Sequence, residues 1–163
     1  MPEPLPLHLN LADIPWESNP SEGRYGSDDQ IVAEHVGQSR LDLTVTRLAP
    51  GKVSCPYHFH HVGEELFFIL EGTGELRLGG ETRRLRPHDV VSCPPGPAGA
   101  HQILNDGDVP LVYMAISTED AAEVCEYPDS GKVMSYVYRD GKRTHRHVSR
   151  LADAVDYMDG EAP

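Results

Sequence analysis

Three histidines and a glutamate carry the strongest chemical signal in this chain: His58, His60, Glu65 and His101. If residues 58–60 are extended, side chains two apart project to one face, so both imidazoles point the same way and Phe59 is opposed. Val62-Gly63 permits a turn, and Glu65 then opens the next strand beside them. Two imidazoles and one carboxylate converging from adjacent strands make a facial set for a first-row divalent metal, with positions left open for other ligands. A second stretch, Arg86 to Asn105, turns at Pro94-Pro95-Gly96 and begins a new strand at His101. In a closed barrel that strand can carry His101 inward as the fourth ligand. His61 points away from His60 in a regular strand, and His8, His35, His88, His145 and His147 lack such partners.

Other groups near these stretches invite weaker readings. On alternation, Leu111, Tyr113 and Ala115 share a face that could be the lumen. Tyr113 is thus the candidate catalytic acid or hydrogen-bond donor, against the plainer role of a core tyrosine. Glu64 should face opposite to Glu65 as a solvated carboxylate, and Tyr57 and Gln102 are also expected outside. Cys55 and Cys93 flank both stretches and are read as small apolar packing residues. Arg84 and Arg86 share a strand face that is either a grip for an anion or a solvent-facing edge.

The elements that must position these groups read as strands. Leu41–Leu48 alternates and is rich in β-formers, and Pro50-Gly51 breaks it. Val53–Phe59, Glu65–Glu71, Glu75–Leu78, Glu81–Leu85, Asp89–Cys93, His101–Leu104, Leu111–Ser117 and Val133–Tyr138 follow, punctuated by Gly, Pro and Asn-Asp turns. Gly79-Gly80 between alternating runs is a hairpin signal, because primed turns need positive φ. Only Ser149–Met158 has helical period, with Leu151, Val155 and Met158 on one face and Ser149 as a cap. Residues 1–30 are expected to be an N-terminal arm, with Leu7, Leu9 and Leu11 alternating as a possible short strand. Residues 31–163 are expected to form one domain. This is an all-β pattern of the sandwich or barrel kind.

Composition narrows the partners. The 163 residues suit one domain with a real core, and an excess of acidic residues gives a net charge of −12. Such a charge repels phosphate backbones and anionic lipid surfaces, so neither nucleic acid nor membrane is an expected partner. The basic cluster Lys142–Arg150 is short, diluted by histidines, and reads as a solvated loop. Three cysteines without CxxC spacing suggest reduced thiols, and the N-terminal residues lack the pattern of a signal peptide, so a cytoplasmic setting is expected.

The two ligand-bearing stretches resemble the two motifs of the cupin family. Gly51, His58-Phe59-His60, Glu65 and Gly72 follow the first motif; Pro94-Pro95-Gly96, His101 and Asn105 follow the second. The departures are an extra residue between Gly51 and His58, a longer loop between Gly96 and His101, and His88 where the family usually has Gly. The motifs span residues 51–105, and flanking strands extend the likeness to 38–118. The resemblance implies a double-stranded β-helix, or jelly-roll, barrel. It also implies one divalent ion (Zn, Mn, Fe or Ni) on His58, His60, Glu65 and His101, and pairing of two copies as a homodimer.

Fold does not dictate function here. Some short bacterial cupins resembling this chain are described as sugar-phosphate isomerases or epimerases, and that is the first expectation: a metal-dependent enzyme on a small polar molecule. An iron dioxygenase and a non-catalytic ligand-binding or sensor module are the alternatives.

Overall fold

Gly79 and Gly80 both take positive φ, 57° and 87°, as a two-residue primed turn requires. The hairpin they close is one of several in a computed structural model that describes residues 7–21, 23–139 and 142–161. The strands are β1 (Glu17–Pro20), β2 (Gly26–Ile31), β3 (Leu41–Leu48), β4 (Phe59–His60), β5 (Glu65–Glu71), β6 (Gly74–Leu78) and β7 (Glu81–Leu85). They continue as β8 (Val90–Cys93), β9 (His101–Leu104), β10 (Leu111–Thr118), β11 (Ala122–Tyr127), β12 (Lys132–Arg139) and β13 (Lys142–Arg150). One five-residue helix, α1 (Val32–Val36), lies between β2 and β3.

All strand pairs are antiparallel. One face is a six-stranded sheet in the order β1-β2-β3-β10-β5-β8. The opposing face is two smaller sheets, β7-β6-β9 and β13-β12-β11-β4. A reciprocal backbone pair, His58 N to His101 O (3.2 Å) and His101 N to His58 O (2.8 Å), joins these two smaller sheets. The result is the jelly-roll barrel. Its lumen is filled by Leu48, Phe67, Ile69, Leu76, Ile103, Leu111 and their neighbours.

The residue alternation that fills the lumen also leaves apolar side chains outside. Leu43, Val45, Leu70, Val112 and Met114 face outward and pack with Leu9, Leu11, Ile14 and Val32. The N-terminal residues therefore cover their own barrel. β2 pairs with β3, and Gln30 ties the preceding segment down through Leu11 O and Ile14 O. Leu7 is exposed, and Leu11–Asp13 is a 3-10 turn capped by the Asn10 side chain. The strand expected over Leu7–Leu11 is not formed, because Leu9 and Leu11 meet the apolar outer face from a turn.

Three other expectations change. Val53–Phe59 forms isolated bridges at Val53 and His58 and becomes strand only at Phe59, since Pro56 lacks the N–H a continuous ladder needs. The C-terminal helical segment is the short 3-10 turn Leu151–Asp153, because Ser149 and Arg150 pair with Val133 and Lys132 and keep the chain extended. The Lys142–Arg150 loop is likewise strand β13. Helix α1 has too few turns to leave a periodic signal; Gly37 ends it at φ 70°.

Candidate metal centre

The seam between the two smaller sheets carries the chemistry. His58 and His101 are cross-strand partners across it, and their rings stand 4.6 Å apart. His60 lies two residues beyond His58, and Glu65 projects inward from the start of β5. The Pro97–Gly99 3-10 turn delivers His101, and the close approach of Gly99 to Pro94 makes this turn tight: a Cβ at Gly99 would stand 1.9 Å from Pro94 O.

The donor atoms converge. His58 Nε2 is 3.2 Å from His60 Nε2. Glu65 Oε2 is 3.4 Å from His60 Nε2 and 3.0 Å from His101 Nε2. Donors bound at roughly 2.0–2.2 Å to a common ion stand roughly 3.0–3.5 Å from one another, so these separations match the edges of a coordination polyhedron. His58, His60 and Glu65 are grouped closely enough to hold a metal ion, and His101 reaches the same carboxylate.

Two further observations fit an ion there. Glu65 Oε2 is buried, and among the described residues it meets only the His60 and His101 Nε2 atoms, neither in good hydrogen-bond geometry, so a cation would satisfy it better. Two of the three imidazoles are turned by their far nitrogens. His58 Nδ1 lies 2.9 Å from Pro56 O, and His101 Nδ1 lies 2.9 Å from Gly99 O. A carbonyl can only accept, so each Nδ1 donates and each Nε2 is the nitrogen left for a metal.

Without an ion the site charges itself differently. Burial disfavours the His60 and His101 cations. Close polar contacts outweigh it, with Cys125 and Glu65 at His60 and with Cys93 and Glu65 at His101, and raise the two histidines to about 11 and about 10. Burial would raise Glu65 too, yet the two histidines hold it far below the usual carboxylate range. His58 goes the other way, lowered to about 4 by burial and by the neighbouring His101.

Beside His60 and Glu65 opens a polar cleft of about 140 Å³, lined also by Asp42, Ser117–Asp120, Glu123, Tyr136 and Tyr138. Burial, then Glu34 and Glu65, raises Asp42; burial, then Asp42 and Asp120, raises Glu119. Tyr127 stacks on His58 with centroids 5.8 Å apart. None of Asp42, Glu123, Cys125, Tyr127 or Tyr136 was singled out from the sequence. A signal was there: Glu123, Cys125 and Tyr127 alternate, as do Met134, Tyr136 and Tyr138, and the pairing of β11 with both β4 and β12 puts them on the face of His60.

The remaining candidates sit elsewhere. Tyr113 is 3% exposed within the core, its ring against Phe67, and burial pushes its phenol well above the ordinary value. That burial fits the packing role. His61 turns outward and meets Glu126 at 2.8 Å. Gln102 is outward but buried, donating to Cys55 O and accepting from Arg77. Arg84 pairs with Asp106 and Arg86 with Asp89, which makes that strand face a solvent edge. Cys93 is packed in the core as expected, whereas Cys55 packs against a ligand, its Sγ 3.7 Å from His58 Nδ1; Cys125 Sγ likewise lies 3.4 Å from His60 Nδ1. Burial pushes the Cys55 thiol up to about 11, so it is no nucleophile at neutral pH.

Residues 44–117 match the family model described as the cupin domain. Over those residues the chain is similar to cupin domains. Among solved structures, a protein of Acidithiobacillus ferrooxidans described as a candidate sugar phosphate isomerase superposes with a TM-score of 0.80 at 25% identity, covering 92% of this chain and 96% of that one. A sugar phosphate isomerase from a cupin superfamily of Silicibacter pomeroyi gives 0.78 at 21% identity, covering 90% and 94%. Among curated proteins, 5-nitrosalicylic acid 1,2-dioxygenase of Bradyrhizobium sp is 35% identical over 104 residues, 58% of this chain and 47% of that protein. Glucose-6-phosphate isomerase of Thermococcus litoralis is 33% identical over 102 residues, 55% and 53% respectively. The chain thus spans about half the length of these curated relatives. No helix among the described residues is long and apolar enough to cross a membrane.

Proposed function

We propose that this cupin is a metal-dependent enzyme acting on a small polar molecule, of the sugar-phosphate isomerase or epimerase kind. The observation that carries the reading is the convergence of the buried Glu65 Oε2 with imidazole Nε2 atoms of His58, His60 and His101, beside a cleft lined by carboxyls and phenols. His58, His60, Glu65 and His101 would hold the ion. A divalent ion bound there would polarise neighbouring oxygens of a hydroxy-carbonyl compound. The cleft's own groups would do the rest. Asp42 and Glu119 hold their protons more tightly than ordinary carboxyls, which suits exchange of a proton between adjacent carbons. Tyr136 and Tyr138 offer hydroxyls to substrate oxygens. The isomerase names among the curated and structural relatives support this class.

Dioxygenase chemistry is the second reading, favoured by the 35% identity to the Bradyrhizobium enzyme and by a nitrogen-rich donor set suited to iron. Metal content separates the two before any substrate is known. Plasma mass spectrometry of untagged protein is expected to find about one equivalent of transition metal, lost in His58→Ala. Iron with rapid O₂ uptake in a panel of phenols and diols overturns the isomerase reading. A metal-free protein that also refuses added metal overturns both and favours a ligand-binding module.

Pairing of two copies in a cytoplasmic setting completes the proposal. Leu66, Phe68 and Val90 leave part of the outer face of the six-stranded sheet apolar and exposed, which supports an assembly that covers it. Light scattering that returned the mass of one chain would sink the pairing.

A further inference from the structure

Glu123 has the profile of a buried carboxylate that the chain was built around. Its side chain is 3% exposed. Oε1 accepts from the backbone N–H groups of His61 (3.2 Å), Val62 (3.1 Å) and Val124 (2.7 Å), and Oε2 accepts from Gly63 N at 2.6 Å. Four donors thus converge on one side chain, three of them from the turn that links β4 to β5. Those two strands carry His60 and Glu65. Gly63 is required for this approach, because a Cβ there would stand 2.8 Å from Oε2.

The same Oε2 lies 3.4 Å from His60 Nδ1, and Cys125 Sγ lies at 3.4 Å as well. His60 is the one ligand histidine whose Nδ1 does not meet a backbone carbonyl, so this pair must decide its tautomer. Were the thiol to donate to Nδ1, the ring proton would sit on Nε2 and His60 could not bind a metal. A carboxylate has no proton to give. Its negative charge beside Nδ1 favours a proton on that nitrogen and leaves the Nε2 lone pair facing Glu65.

His60, Glu123 and Cys125 also lie close enough together to suggest a second cation site. The N–H groups argue against that reading: three crowd Oε1 and one meets Oε2, and the lone pair left on Oε2 is the one that faces His60 Nδ1.

We propose that Glu123 is a positioning residue of the metal centre: it pins the 61–63 turn and orients His60, through Nδ1, to present Nε2 to the ion. The inference rests on the metal-site reading above.

The test uses full-length, ¹⁵N-labelled protein loaded with zinc. Long-range ¹H–¹⁵N spectra of the wild type are expected to show an Nδ1-bound proton on His58, His60 and His101. Glu123→Gln should shift or broaden the His60 signal and leave the other two in place. It should also weaken zinc binding by about tenfold or more in chelator competition. Cys125→Ala should leave the His60 signal in place and affinity within about threefold. A folded Glu123→Gln with an unmoved His60 signal and wild-type affinity overturns the inference. So does a Cys125→Ala that alone reproduces the loss. The wild type decides if Glu123→Gln does not fold: an Nδ1 of His60 without a proton, or two zinc equivalents bridged by that ring, defeats the proposal. A wild type that takes up no zinc defeats the metal reading and this inference together, whereas zinc uptake indifferent to Glu123 defeats this inference alone.

Discussion

His88 occupies a backbone conformation that suits glycine. Its φ of 77° is the only positive value among non-glycine residues described, and it stands where the cupin pattern usually has Gly. A left-handed residue with a Cβ costs roughly 1 kcal/mol more than glycine there. His88→Gly is therefore expected to stabilise the fold by about 0.5–1 kcal/mol in urea unfolding, with metal content unchanged. At the ligands themselves, charge dictates pH dependence. His60 and His101 are raised from 6.5 to about 11 and about 10 when no ion is bound. Their contribution to the stability of the metal-free protein is complete below about pH 6.5 and is lost as pH rises toward those values. The depressed Glu65 contributes above its ordinary value near 4.5 and loses that contribution as pH falls. A metal must displace the two histidine protons, so its apparent affinity should rise with pH from above about 4, where His58 is neutral, up to about 10, with a log–log slope approaching about two. Competition titrations with a chelator of known pH dependence would measure it, and a slope near zero would mean that the histidines are already neutral.

At the scale of elements, the site depends on turns more than on strands. The tight Pro94–Gly99 passage sets where His101 enters its strand, and a methyl at Gly99 cannot fit against Pro94 O without moving the turn. Gly99→Ala should cost about 2 kcal/mol or more, in the range of strained-backbone substitutions, and should lower metal affinity as well. An affinity unaffected despite the lost stability would show that His101 is positioned by its pairing with His58 alone. The extra residues that lengthen this loop relative to the cupin pattern form the short 3-10 turn, so they are absorbed without moving His101 from its cross-strand partner. Strands with strong alternation were legible in advance. β11 was harder to read, because the alternation of Glu123, Cys125 and Tyr127 puts a charged residue on the inward face, and its burial depends on being sandwiched between β4 and β12.

Over the whole molecule, Asn105 links parts that are distant in sequence. Its amide donates to Leu48 O and Val109 O, and its Oδ1 accepts from Gly107 N, all within a fully buried site. The cupin-like Asn is thus a fastener between the end of β3 and the loop after β9, remote in role from the chemistry. Asn105→Ala deprives the buried Leu48 carbonyl and the part-buried Val109 carbonyl of that donor and should cost about 1–3 kcal/mol by denaturant unfolding. Metal affinity of the folded fraction should change far less. The acidic excess is also unevenly spent: Asp42, Glu119, Asp120 and Glu123 gather around the cleft. A phosphorylated substrate would need to direct its phosphate away from that rim.

What the sequence determined by itself was whatever local chemistry dictates: alternation of side chains along strands, glycine pairs at turns, and the HxH-x₄-E spacing that aligns two imidazoles with a carboxylate. The jelly-roll and the candidate ligands follow from those rules and from the cupin resemblance. Tertiary structure decided the rest, because it depended on partners far along the chain. Pairing with β12 extended Lys142–Arg150 against its helical and loop-like texture. An apolar outer face drew the N-terminal residues onto their own barrel. The β4–β11 register brought Glu123 across some sixty residues to His60, where one buried carboxylate could settle how a histidine faces its metal.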